Sequence, residues 1–180
     1  PFIVEDSSWS STLPFGTSSV TVYRNGSDSS LSAVSTYDVY YYYNTGMKSV
    51  WVYSNSVTGT YTAASPNTAA PSSVTVAGKT YSVTAASARY ALSDVGSYSI
   101  GDTVTLLLGM NGDVVGVADS TLVNTTKYGI VSSTGTKTYT DSSGNDLTSS
   151  VVTVSCTDGG SYQYDYTGSS LNAGDLVKIS

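Results

Sequence analysis

Apolar positions along this chain recur at every second residue in short runs, and each run is cut off by a turn containing Gly, Asn or Asp. Alternation of that kind sets one row of side chains against a core and the other toward solvent, so it predicts β-strands. The clearest case is Thr103-Val104-Thr105-Leu106-Leu107-Leu108, then Gly109-Met110-Asn111-Gly112, then Asp113-Val114-Val115-Gly116-Val117. An apolar strand, an Asn-Gly turn and a returning strand predict a β-hairpin. Similar text spans residues 37–53 and, shortened, residues 174–180. Phe2-Ile3-Val4 reads as an edge strand, and residues 64–71, with Pro66 and Pro71, as a surface loop. Residues 85–92 hold the only plausible helical turn, and it lacks the length to stand alone.

The pattern repeats. The string Ser-Ser-Val-Thr-Val occurs at residues 18–22 and again at 72–76, with a close variant at 149–154. Each copy is followed by a leucine (Leu31, Leu92, Leu171) and then by an aspartate that opens a hairpin (Asp38, Asp102, Asp175). Successive aspartates lie 64 and 73 residues apart, a period longer than that of most solenoids, which points to small modules in series. The expected fold is all-β: tandem five-stranded barrels or sandwiches of the OB or SH3-like kind, with little or no helix. The expected modules are 1–56, 57–120 and 121–180. The last strand, residues 176–179, must find its partner beyond residue 180 or elsewhere in the chain, and the abrupt ends suggest a piece of a longer protein.

The most conspicuous polar-aromatic feature is a run of four tyrosines, Tyr40-Tyr41-Tyr42-Tyr43, flanked by Tyr37, Trp51 and Tyr53. Aromatic rings on a surface bind sugar rings and bases, whereas aromatic rings in a small core simply form good strands. Aligning the three copies on their aspartates weighs these readings. Tyr40 falls with Val104 and Val177, and Tyr42 with Leu106 and Ile179, so both should face inward. Tyr41 falls with Thr105 and Lys178, which are surface types, while Tyr43 falls with Leu107 and Ser180 and is left undecided. Trp51 is open too, because a one-residue difference in the preceding turn would swap its face. Candidate ligand-binding residues are therefore Tyr41, Tyr43 and Trp51.

Composition narrows the chemistry. Only 11% of residues are charged, about a third are Ser or Thr, and 16 are Tyr, so hydroxyls supply most of the polar surface. The net charge of −6 offers no basic face to a nucleic acid, and no apolar run is long enough to insert into a membrane as a helix. The chain has no histidine, which removes the usual general base and the commonest metal ligand. Glu5 is the only glutamate, and many aspartates sit in turns that they cap through backbone N–H groups. One cluster, Asp141-Ser142-Ser143-Gly144-Asn145-Asp146, offers Asp141 and Asp146 as oxygen ligands for Ca²⁺, with a plain hairpin turn as the simpler reading. Cys156 is the sole cysteine, so no intrachain disulfide forms. No cofactor is expected. Lys79, Lys127 and Lys137 are candidates for intramolecular Lys–Asn isopeptide bonds.

Val50-Trp51-Val52-Tyr53, residues 57–66, Ser73-Val74-Thr75-Val76 and residues 101–108 together resemble the repeat regions of large Firmicutes surface proteins that carry S-layer homology domains. The likeness is good over residues 37–117 and loose elsewhere, and the S-layer homology motif itself is absent. What the resemblance implies is a non-enzymatic, extracellular module array, a spacer or scaffold of the cell envelope. The alternative is a carbohydrate-binding or adhesin module using exposed aromatic residues. Partners would be cell-wall or host glycans, or neighbouring surface-protein modules. An aspartate-based hydrolase would need two facing carboxylates at glycosidase separation.

Overall fold

The alternating runs do form strands. The computed structural model describes residues 1–123, 126–168 and 170–180, and among these the chain is nearly all β. The strands are β1 (Phe2–Ile3), β2 (Thr21–Arg24), β3 (Ser27–Ser29), β4 (Val39–Tyr43), β5 (Ser49–Tyr53), β6 (Ser56–Ser65) and β7 (Ser73–Val76). They continue as β8 (Lys79–Ser82), β9 (Thr103–Leu108), β10 (Val114–Ala118), β11 (Lys127–Thr140), β12 (Asp146–Cys156), β13 (Ser161–Asp165) and β14 (Leu176–Ile179). Among the described residues a single α-helical turn, α1 (Ala86–Ala91), lies where the sequence allowed one, and two short 3₁₀ turns cover Trp9–Thr12 and Leu31–Ala33.

Three sheets result. The first runs β1-β4-β5-β2-β3, the second β10-β9-β6-β7-β8 and the third β13-β12-β11-β14. The second and third copies of the Ser/Val/Thr string fall on β7 and β12 and the last two residues of the first on β2, and each runs into a hairpin through a turn glycine with positive φ: Gly26, Gly78 and Gly159. In the second sheet a parallel bridge between Val83 and Val114 brings the two edges together, so this sheet curls toward a barrel. The first sheet is wired differently, because β2 pairs in parallel with β5. The last strand, β14, finds its partner inside the chain: it runs antiparallel to β11, with Ile130 opposite Leu176.

The sheets do not pack separately. One hydrophobic cluster takes Val57, Tyr61, Val76 and Leu106 from the second sheet together with Val131, Val152, Val154 and Tyr162 from the third. A backbone hydrogen bond from the Gln163 N–H to the Ala77 carbonyl (2.7 Å) and one from the Thr60 hydroxyl to Asp165 (2.8 Å) tie the same two sheets. A second cluster, Val39, Leu107, Val115 and Ala118, with Ile3 and Tyr41 against it, joins the first sheet to the second. Strand β9 is consequently buried on both faces from Val104 to Leu108, which accounts for its unbroken Leu106-Leu107-Leu108 run.

Candidate functional site

The repeated aspartates build the same turn three times. In each copy the aspartate carboxylate accepts the backbone N–H of the residue three before it: Ser35 to Asp38 (3.0 Å), Ser99 to Asp102 (2.8 Å) and Asn172 to Asp175 (2.8 Å). Its own N–H returns to the carbonyl of that same residue. The residue just before the aspartate has positive φ in every copy: Tyr37 at 71°, Gly101 at 107° and Gly174 at 96°. Glycine adopts this conformation without penalty, whereas Tyr37 is held there at some cost. The turn then clamps a buried residue from both sides. Val4, Tyr61 and Val131 each donate an N–H to the aspartate carbonyl and accept one from the residue before it, at 2.8–2.9 Å throughout. These aspartates are joints of the backbone. Asp38 is buried and adds a two-pronged pair with Arg24, Nε to Oδ2 at 3.0 Å and Nη2 to Oδ1 at 3.3 Å.

The tyrosine run sits on β4 with its rings alternating across the sheet. Tyr40 is 5% exposed and packs with Trp9, Val22, Val50 and Val52, and Tyr42 lies half-buried on the same side. Tyr41 faces the other way, directly opposite Trp51 on β5, with Tyr43 opposite Ser49. The two faces that the sequence left open therefore resolve outward: Trp51 shares the Tyr41 face, and Tyr43 points into solvent at 62% exposure. Tyr23 and Tyr53 complete an aromatic band that the aspartate alignment did not single out. Tyr23 stacks on Trp51 at 4.3 Å between ring centroids, and Tyr53 meets Tyr41 edge-on at 5.8 Å. Tyr41 is not free. Its hydroxyl accepts the Met110 N–H (3.2 Å) at the β9–β10 turn, and burial pushes its pKa up. Tyr41 thus acts as a strut between the first and second sheets, Trp51 is half-covered by Tyr23, and Tyr43 alone of the three stands clear.

Asp141 and Asp146 flank the β11–β12 turn. Asp141 Oδ1 accepts the N–H groups of Ser143 (3.0 Å) and Asn145 (2.8 Å), which hold its carboxyl below the usual carboxylate range, and Asp146 accepts the Thr140 hydroxyl (2.8 Å). Among the described residues no group of three or more His, Cys, Asp or Glu side chains is placed to hold a metal ion. Lys127 pairs with Asp158 at 2.9 Å and lies over the Tyr162 ring at 5.0 Å. Although burial works against the Asp158 charge, hydrogen bonds from Lys127, the Gly160 N–H and the Tyr162 hydroxyl prevail and hold its carboxyl down. Cys156 is buried, which raises its thiol pKa and makes it unreactive.

No family model, no curated protein and no solved structure matches the chain. Among the described residues no helix is long and apolar enough to cross a membrane.

Proposed function

We propose that the chain is a non-catalytic structural segment of an extracellular bacterial surface protein, a stiff spacer that holds neighbouring parts of that protein at a set distance. The observation that carries this reading is the pair of buried junctions. The second sheet is packed on one side through Leu107 and Val115 against the first sheet and shares its core on the other side with the third. Junctions of this kind resist the hinge motion expected between beads on a string, since domain interfaces move by default unless they are large and apolar. The hydroxyl-rich, weakly charged surface and the resemblance to repeat regions of Firmicutes surface proteins favour the same role.

Display on a cell surface tests it. Placed between a wall anchor and a peptide epitope, the chain should raise antibody access to the epitope above that given by a Gly/Ser linker of equal residue count. A Leu107→Asp variant, which puts a charge into the first junction, should lose that gain. Equal access for chain and linker would end the spacer reading.

A further inference from the structure

On the inner side of the first sheet, away from the band that carries Tyr41 and Trp51, lies a cavity of about 380 Å³. Phe2, Tyr40 and Tyr42 form one wall. Phe2 sits opposite Tyr40 across the β1–β4 ladder, and its ring is close to parallel with both tyrosines, at 24° and 17°, with centroids 5.3 and 5.5 Å away. Trp9 closes a side at 56° to Tyr40. Glu5 and Asp6 stand on the rim, and none of the residues lining the cavity is Lys or Arg.

We infer that this cavity binds a neutral saccharide whose pyranose rings carry equatorial hydroxyls, one or two rings at a time. Three features lead to that class. Phe2 stacks over Tyr40 and Tyr42 and, at 49% exposure, keeps a flat apolar face open, which suits the flat C–H face of a pyranose with equatorial hydroxyls; a trimethylammonium group needs rings that box it in from several directions. The acidic rim accepts hydrogen bonds from sugar hydroxyls and repels anionic sugars. Asp6 is held in its charged form by the Ser8 hydroxyl and N–H, so it stays an acceptor. The volume falls at the small end of ligand pockets, about 300–1,000 Å³, and the lining is aromatic with a few polar groups, as such pockets are. Phe2 is 49% exposed, so a ring laid on it covers apolar surface that now faces water. This site is independent of the spacer role: a spacer can carry it or lack it.

Trp9 reports the site once Trp51, on the opposite face, is replaced by Phe. In the Trp51→Phe chain, cellotetraose and chitotetraose are titrated against Trp9 emission. Saturable change is expected, with half-saturation on the order of 1 mM. Phe2→Ala and Glu5→Gln, both at exposed positions, should each weaken binding by at least about threefold with the melting temperature unchanged, and Tyr43→Ala should leave it intact. No response to either saccharide at about 20 mM overturns the inference. So does binding that survives Phe2→Ala and Glu5→Gln, or saturation by choline where both saccharides fail.

Discussion

Replacing Leu107 by Ala removes a side chain that only the junction buries. Leu107 is 2% exposed and sits with Val39 of the first sheet and with Val115 and Ala118 of its own. Its place on β9 points away from the core formed by Val104, Leu106 and Leu108, so without the first sheet against it Leu107 would face water. The two situations give different magnitudes. A Leu→Ala change at a packed site costs about 2–5 kcal/mol, because the lost transfer energy is joined by a residual cavity. At a solvent-facing position it falls within about 0.5 kcal/mol. Taking about 3 kcal/mol, and about 2–4 °C per kcal/mol for a chain of this size, the melting temperature should fall by roughly 6–12 °C. Leu107→Met, which conserves volume, should cost less than about 1.5 kcal/mol. Urea unfolding gives the free energies, and native-state hydrogen exchange locates the change: amides of β4 in the first sheet should lose protection together with those of β9. A loss below about 1 kcal/mol, or exchange that quickens on β9 alone, would refute the junction and with it the spacer argument.

The junction between the second and third sheets can be probed by comparing two turn glycines. Gly78→Ala places a Cβ 2.7 Å from the Gln163 Cβ in a backbone of φ +73°, while Gly26→Ala meets only the φ penalty, about 1 kcal/mol, with open space around it. Gly78→Ala should therefore cost at least about 1 kcal/mol more than Gly26→Ala in urea unfolding, and equal costs would show that β13 does not press on that turn. Alkaline pH should unfold the chain through its buried tyrosines. Burial pushes Tyr61 and Tyr81 up to about 12, and Tyr162 and Tyr164 higher still. Since an unfolded tyrosine titrates near 10, the folded state holds more protons in that window, so stability is full below pH 10 and falls as pH rises from about 10 toward 12. A melting temperature that stays flat to pH 11.5 while tyrosinate absorbance rises fully would contradict this ordering.

How far the sequence could be read depends on what the repeat can compare. Aligning copies on the aspartates compares positions that share a local frame, and it was sound where burial is decided inside one unit: Tyr40 and Tyr42 do point inward with Val104 and Leu106. The frame itself is backbone hydrogen bonding, which explains why Asp38, Asp102 and Asp175 survive in all three copies while their neighbours differ. The alignment is silent on what lies outside a unit. Thr105, opposite Lys178 in the alignment, looks like a surface residue and is fully buried, its hydroxyl 2.6 Å from that of Thr58. Trp51 illustrates a second limit, since turn length alone could not fix its face and only the ladder with Tyr41 does. Phe2 and Trp9 lie in a stretch with little periodicity, so nothing in the text brings them beside Tyr40.

The outward position that follows the aspartate by five residues shows how one frame yields three different surfaces. It is Tyr43 in the first copy, Leu107 in the second and Ser180 in the third. Each lies opposite the returning strand of its hairpin, but Leu107 is also paired on its other side with Ser56 of β6, whereas β1 reaches only Val39 and Tyr40 of β4 and leaves Tyr43 at an open edge. Surroundings differ as well. Leu107 is covered by the first sheet, where an aliphatic side chain fills space without an unsatisfied polar atom, and Tyr43 keeps its hydroxyl in water. Identity at this position therefore reports assembly between sheets as well as pairing within one. It also explains the leucine run at residues 106–108: Leu106 and Leu108 answer to the inner core, and Leu107 answers to the neighbour.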